Sequence, residues 1–173
     1  SKFTQSIPVI SENFPILNGY EYSKYISFDN DFLTKFSIYG KAINSLTGDD
    51  VRVSERLTLP SKKLRGFITN QIGPVDNNDY VGGNYSAAIN FSTTLPMLLE
   101  SVESADVKLF VDAGNVWGVD YSDTINESNE IRSSAGFAVD WFTPIGPLNF
   151  TLAQPITKAS TDKTESFQFN LGT

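Results

Sequence analysis

The chain has 173 residues, and its 13 basic and 20 acidic side chains leave a net charge of −7. This length suits one sizeable domain. The acidic balance argues against a nucleic-acid partner, because phosphate groups bind to basic surfaces. The sequence contains neither cysteine nor histidine, which excludes disulfides, catalysis by a thiolate or a histidine, and zinc sites built on these side chains. We therefore expect no enzyme, no metal and no cofactor.

Apolar and polar residues alternate with a period of two along most of the chain, which is the pattern of β-strands. The clearest case is 131–142, where Phe137, Val139 and Trp141 share one face and small or charged residues occupy the other. The same alternation predicts eight strands, which are in chain order 2–10, 20–28, 32–43, 84–95, 106–117, 131–142, 148–153 and 165–172.

Long polar connections alternate with short turns between these strands. The long ones are 11–19, 44–81, 118–130 and 157–163, the tight turns are 29–31 and 143–147, and 96–105 is intermediate. Antiparallel strands with long loops at one end and tight turns at the other are typical of outer-membrane β-barrels, and strands of about 9–11 residues can cross a bilayer. We predict an all-β, antiparallel, up-and-down transmembrane β-barrel, with 1–173 as one unit.

A water-soluble β-sandwich is the alternative fold, since its strands also alternate. The polar face of a sandwich meets water and is rich in lysine and glutamate. Here that face holds mainly serine, asparagine, alanine, glycine and threonine, which suits a lumen filled by another part of the chain. Aromatic residues near strand ends fit the interface girdles of membrane barrels. The barrel is therefore the favoured prediction.

Several short motifs follow one another along the chain. They are Leu64-Arg65-Gly66-Phe67, Ile72-Gly73-Pro74, Val81-Gly82-Gly83-Asn84 and the stretches 110–117, 132–136, 144–148 and 167–172. In these motifs the sequence resembles the C-terminal half of the barrel of the BamA-type outer-membrane assembly factors, the bacterial surface-antigen family. The motifs cover 51–173, whereas the first fifty residues match by strand pattern alone.

The resemblance implies a sixteen-stranded barrel in the bacterial outer membrane, of which the present strands are the last eight. It implies that periplasmic domains precede Ser1 and bind other subunits of an assembly complex. The implied partners are the outer-membrane lipid bilayer and nascent outer-membrane β-barrel proteins, which such factors insert and fold. Half a barrel has two bare sheet edges, at 2–10 and 165–172, so we expect an open sheet or partner chains that complete it.

The resemblance also implies roles for individual residues. The loop 44–81 is directed into the lumen with Leu64, Arg65, Gly66 and Phe67 at its tip, and the barrel-wall partners of the arginine are Phe110 and Asp112. Those two residues lie on one face of a strand, so both can contact one guanidinium, which stacks on rings and pairs with carboxylates. The family pattern further assigns a turn after the loop to Gly82, Gly83 and Asn84, and a seam in the last strand to Phe167, Phe169, Leu171 and Gly172.

Other functions are considered beside assembly. A barrel hydrolase is disfavoured by the absence of histidine, and a passive porin by a lumen that the loop fills. A two-partner secretion pore or a TamA-type translocation factor of the same family differs in its periplasmic domains, which lie outside this sequence. The acidic stretches 76–79 and 120–130 lack the spacing of a calcium loop.

Overall fold

A computed structural model describes residues 1–6, 15–28, 32–95, 104–122, 124–125 and 130–171. The strands are β1 (Lys2–Ser6), β2 (Pro15–Phe28), β3 (Phe32–Ser45), β4 (Val75–Asp76), β5 (Asp79–Tyr80), β6 (Tyr85–Thr94), β7 (Ala105–Trp117), β8 (Arg132–Thr143), β9 (Gly146–Thr157) and β10 (Phe167–Leu171). In this described part of the chain, no helix has the length and the apolar character needed to cross a membrane.

Eight of the strands form one antiparallel sheet in the order β1-β2-β3-β6-β7-β8-β9-β10, and β4 and β5 form a separate ribbon. Strands adjacent along the chain are thus adjacent in the sheet, except where residues 46–84 leave it between β3 and β6. The prediction of eight antiparallel strands in up-and-down order is confirmed. The sheet has β1 at one end and β10 at the other.

Some predicted boundaries were wrong. β2 begins at Pro15, although the sequence pattern assigned 11–19 to a loop, because proline and glycine usually interrupt strands. Pairing overrides this local preference: Pro15 lies opposite Ser45 of β3, and Gly19 lies opposite both Lys41 and Thr4. The turn predicted at 143–147 is shorter, since β8 ends at Thr143 and β9 begins at Gly146. The predicted features at 7–14, 29–31, 96–103 and 172 lie outside the described residues.

The two faces of the sheet are the reverse of those in a soluble protein. On the outer face Phe137 and Trp141 are 50 % and 43 % exposed. On the inner face, by contrast, Asp112, Arg132 and Ser134 are each fully buried. A water-soluble sheet buries its apolar side chains, so this distribution contradicts the sandwich alternative.

Residues 46–84, here called the long loop, cover the inner face. The loop contains two short 3-10 helices, Val53–Glu55 and Ser61–Lys63, and the β4–β5 ribbon. Its buried apolar side chains pack on the sheet in two clusters. The larger is formed by Tyr39, Leu59, Leu64, Phe67, Ile72, Ala88 and Val116, and the smaller by Ile43, Val51 and Leu57. The hydrophobic core therefore lies between the loop and the sheet wall.

One glycine in the wall permits a close approach of two strands. Gly136 of β8 pairs with Ala153 of β9. A Cβ atom added to Gly136 would lie 1.9 Å from the carbonyl oxygen of Leu152, which belongs to the backbone and cannot turn away. Gly40 of β3 is a natural comparison, because a Cβ there would have no atom within 4 Å.

We expect Gly136→Ala to destabilise the sheet by about 1–3 kcal/mol, as overpacking does. Gly40→Ala should be neutral or stabilise by up to about 1 kcal/mol, because alanine loses less backbone entropy on folding. Urea unfolding of the folded protein in detergent micelles measures both values. Equal effects of the two substitutions would contradict the close approach at Gly136.

Candidate functional site

The tip of the long loop, Leu64 to Phe67, is joined to the sheet wall by an ion pair. Arg65 Nε lies 2.7 Å from Asp112 Oδ2, and Arg65 Nη2 lies 2.7 Å from Asp112 Oδ1. The backbone N–H of Arg65 also donates to Asp112 Oδ2, at 3.1 Å. The carboxylate is fully buried, whereas 18 % of the arginine side chain is exposed. Such a two-point pair fixes orientation as well as distance.

The same guanidinium stacks on an aromatic ring. Arg65 Cζ lies 3.6 Å from the ring centroid of Phe110, a side chain that is 2 % exposed. Phe110 and Asp112 are on the inner face of β7, two residues apart, so the planar group meets the ring and the carboxylate together. The structure thus brings Arg65 to both residues that the sequence assigned to the wall. A cation over a desolvated ring contributes about 2 kcal/mol.

Two further polar side chains of the wall bond to the loop tip or to the residue before it, and neither was predicted as a site residue. Asn90 of β6 lies opposite Asp112 and donates from Nδ2 to Asp112 Oδ1 at 2.9 Å and to the Lys63 carbonyl at 2.7 Å. Ser134 of β8 donates from Oγ to the Arg65 carbonyl at 2.5 Å. The only sequence feature that could have pointed to Asn90 and Ser134 is their position on the inner face, and many other polar residues share that position.

Gly66 allows the tip to lie directly on the wall. Its φ of +88° is left-handed, and a Cβ there would lie 2.9 Å from Ala153 Cβ. Leu64 and Phe67, on either side of the Arg-Gly pair, are each 2 % exposed within the apolar cluster. Leu64 and Phe67 therefore anchor the tip in the apolar cluster, and Arg65 forms the ion pair. Gly66 lets the backbone of the tip lie close to the wall.

A second arginine holds the start of the long loop. Arg56 Nη2 lies 2.6 Å from Asp120 Oδ1, and Arg56 Cζ lies 4.6 Å from the ring centroid of Tyr121. Asp120 Oδ2 also accepts hydrogen bonds from the Val51 N–H at 3.1 Å and from Asn84 Nδ2 at 2.8 Å. As at the Arg65 site, an arginine contacts both a ring and a carboxylate, here near the start of the loop.

The segment predicted as a turn after the loop, Gly82, Gly83 and Asn84, also contacts the wall. Gly83 forms an isolated antiparallel bridge with Leu57, and a Cβ on it would lie 2.3 Å from the Trp117 carbonyl oxygen. Gly82 has a φ of +69°. Asn84 donates its backbone N–H to the Gly118 carbonyl at 2.7 Å. The segment therefore pairs the loop start with the wall, which the turn assignment did not anticipate.

A third ion pair lies outside every predicted site. Arg132 of β8 contacts Asp162, with Nε to Oδ2 at 2.9 Å and Nη2 to Oδ1 at 3.0 Å, and both side chains are fully buried. Arg132 also donates to Asn115, and Asp162 accepts from the Ala159 N–H at 2.6 Å. The pair orders the connection between β9 and β10. Thirty residues separate its members, so sequence spacing gave no sign of it.

The last strand is placed with its apolar side chains outward. Phe167, Phe169 and Leu171 are 51 %, 52 % and 68 % exposed, whereas Gly172 lies outside the described residues. On the inner face, Gln168 contacts the loop tip through its side-chain amide. The predicted seam residues and the loop tip are therefore close to one another.

A cavity of about 580 Å³ lies beside the tip on the inner face. Charged and amide side chains line it, among them Lys62, Lys63, Lys108 and Asp140. Lys63 is paired with Glu21, and Lys108 with Asp140. Across the described ranges, no three acidic side chains are grouped so that they could hold a metal ion.

The Arg56 site has a defined dependence on pH. Burial raises the pKa of the Asp120 carboxyl, but hydrogen bonds from Asn84 and the Val51 amide, together with the charge of Arg56, outweigh it, so the pKa lies below the usual aspartate value. A lowered pKa in the folded state means that the ionised carboxylate stabilises the fold above the unfolded value. This contribution is lost as the pH falls through the folded value.

We expect the loop start, 51–57, to stay protected from hydrogen exchange from neutral pH down to about pH 4 and to lose protection below it. Asp120→Asn should lower protection at neutral pH and remove this acid step. The control is Asp49→Asn, in an exposed part of the same loop, which should keep the wild-type profile. An acid step that survives in Asp120→Asn would assign it to another group.

The Arg132–Asp162 pair permits a test by compensation. We expect Asp162→Ala to cost about 3–5 kcal/mol, because it leaves a buried guanidinium without its counter-charge. Combining Asp162→Leu with Arg132→Met should cost less than Asp162→Ala alone, since no buried charge then remains. Urea unfolding in micelles compares these variants with Lys158→Ala, a change at an exposed position in the same connection. A double variant that is less stable than Asp162→Ala would contradict the pairing.

Comparisons with known proteins agree on one family. The Omp85 superfamily domain matches residues 3–173. The outer membrane protein assembly factor BamA of Neisseria meningitidis serogroup B is 32 % identical over 137 residues, which are 64 % of this chain and 17 % of that protein. BamA of Neorickettsia risticii is 27 % identical over 147 residues, 83 % of this chain and 20 % of that protein. A SAM50-like protein of Schizosaccharomyces pombe is 29 % identical over 139 residues, 76 % of this chain and 29 % of that protein.

A solved structure is similar over most of the chain. The crystal structure of BamA from Haemophilus ducreyi lacking POTRA domains 1–3 superposes with a TM-score of 0.81 at 27 % identity, covering 91 % of this chain and 35 % of that one. The chain spans about a fifth of the length of the two bacterial relatives. The resemblance inferred from the motifs is thereby confirmed. This chain, an antiparallel β-sheet protein of the bacterial outer membrane, belongs to the Omp85 superfamily.

Proposed function

We propose that this chain is the barrel region of a factor that inserts and folds other outer-membrane β-barrel proteins. Membership of the Omp85 superfamily and the likeness to assembly factors support outer-membrane protein assembly at the level of the family. The observation that carries the finer proposal is the buried, two-point Arg65–Asp112 pair, which ties the loop tip to the wall.

In this proposal the loop tip locks the barrel wall. Arg65 of the tip contacts Asp112 and Phe110 of β7 and Ser134 of β8. The carbonyl of Lys63, just before the tip, accepts a hydrogen bond from Asn90 of β6. One short segment thus holds three consecutive strands in register from the inside. The apolar side chains of the outer face, by contrast, are exposed to the lipid bilayer, the first proposed partner.

The second proposed partner is a nascent outer-membrane β-barrel protein, bound at the last strand. β10 has five residues and pairs with β9. The family resemblance implies that its other edge meets the first strand of the barrel at a seam. Opening of this seam would offer N–H and C=O groups to an incoming strand. The proposed mechanism is therefore templating by main-chain hydrogen bonds, without a covalent step, an enzyme activity or a cofactor.

Other subunits of an assembly complex would bind outside the 173 residues, through periplasmic domains such as the POTRA domains named in the Haemophilus ducreyi structure. Those domains also distinguish an assembly factor from a two-partner secretion pore or a TamA-type translocation factor. A passive porin fits less well, because the long loop covers the inner face and is fastened there by two arginines.

The proposal is tested by removing the guanidinium from the full-length protein. We expect Arg65→Ala to weaken the anchoring of the tip by about 3–5 kcal/mol, since the carboxylate of Asp112 stays buried without its partner. Cells that depend on this variant should fold a reporter outer-membrane protein more slowly. Folding is measured by the heat-dependent mobility of the reporter on gels, with equal levels of the variant in the membrane.

The control is Lys62→Ala, which removes a positive charge from an exposed position three residues away in the same loop. This variant should assemble the reporter at the wild-type rate. Wild-type assembly by Arg65→Ala, with unchanged heat resistance of the barrel, would overturn the proposed lock. A large, steady single-channel conductance of the wild-type protein would favour a porin instead.

A further inference from the structure

The chain just before the last strand pairs with the loop tip. The Ile68 N–H donates to the Lys163 carbonyl at 3.0 Å, and the Glu165 N–H donates to the Gly66 carbonyl at 3.0 Å. Between these bonds, Phe67 and Thr164 form an isolated antiparallel bridge. The loop tip therefore acts as a short strand for residues 163–165.

This pairing coincides with an early end of the pairing between β9 and β10. β9 extends from Gly146 to Thr157, but β10 pairs only with Leu148 to Leu152. One more bond, from the Ala153 N–H to the Ser166 carbonyl at 2.9 Å, extends the ladder. Beyond it, residues 163–165 bond to the loop, while residues 154–157 of β9 pair with β8 on their other side. The loop tip and β9 are thus alternative partners for this segment, and Pro155 of β9 has no N–H to offer it.

Gln168 joins the two elements at the point where they diverge. It lies on the inner face of β10, opposite Thr151. Its Nε2 donates to the Phe67 carbonyl at 3.1 Å, and its Oε1 accepts from the Gly66 N–H at 3.5 Å. One amide thus bonds both an acceptor and a donor of the tip backbone. A carboxylate or an ammonium group could not satisfy both atoms.

We propose that Gln168 is a positioning residue that couples the last strand to the loop tip. Release of the tip then frees residues 163–165 to leave the loop and extend β10 along β9. The length of the strand edge offered to an incoming strand is set by the state of the loop. The biological role of this coupling rests on the proposed function. The coupling itself depends only on local contacts and is tested separately.

The experiment measures backbone hydrogen exchange in the full-length protein in lipid nanodiscs. Gln168→Leu removes both hydrogen bonds at nearly constant volume and should raise exchange about tenfold in the loop tip and in β10 together. Asn170→Leu is the matched control, an amide-to-leucine change on the same face of the same strand, and it should leave the loop tip at the wild-type rate. Equal exchange at the tip in the two variants overturns the coupling.

A covalent tether separates coupling from a general loss of stability. Ile68 and Lys163 are adjacent in an antiparallel pair, whose Cα atoms are about 5.5 Å apart, within the range of a disulfide. Ile68→Cys with Lys163→Cys, introduced into Gln168→Leu, should restore slow exchange in β10 when oxidised and lose it again on reduction. The chain has no other cysteine to interfere. Fast exchange in β10 despite the tether overturns the proposal.

Two further arms keep the outcome decisive. Gln168→Glu retains the acceptor for the Gly66 N–H but places an oxygen against the Phe67 carbonyl, so it should also speed hydrogen exchange at the tip. This variant replaces Gln168→Leu if Gln168→Leu does not fold. Assembly of a reporter outer-membrane protein is measured in parallel. Failure of the wild-type protein to speed assembly would reject the proposed function while the exchange data still decide the coupling.

Discussion

The buried pair between Arg65 and Asp112 is the contact on which the arrangement of the inner face depends. A sheet whose apolar side chains face lipid has its polar side chains on the inside, where burial without partners is costly. Asp112, fully buried on β7, needs a cation and donors, and the loop tip provides them. The requirement for a polar partner on that face explains why a long, charged loop lies against the wall.

The same type of contact, an arginine that pairs with an aspartate, holds the long loop at two points. Arg56 and Arg65 each stack on a ring and pair with an aspartate of the wall or of the segment after it. Arg132 uses the same pairing to order the connection that precedes the last strand. Because each pair is buried on at least one side, losing one member costs more than the pair contributes. The inner face therefore tolerates the removal of both members of a pair better than that of one.

The strands could be predicted from the sequence because a period of two is local. The Arg65 contacts were inferred from the family resemblance, and the position of Phe110 and Asp112 two residues apart on one strand agrees with them. What escaped prediction depends on register or on loop conformation. Asn90 faces Asp112 because of the β6–β7 register, and Asp162 meets Arg132 after a connection with no periodic pattern. Pro15 begins a strand through pairing with Ser45, which its own preference opposes.

The contact between Gln168 and the tip differs from the arginine sites in carrying no charge. Ionic strength weakens charged contacts in proportion to their exposure, and acid removes those that need an ionised carboxylate. A neutral amide responds to neither. The bond between Gln168 and the loop tip therefore does not itself depend on ionic strength or on the protonation of a carboxylate.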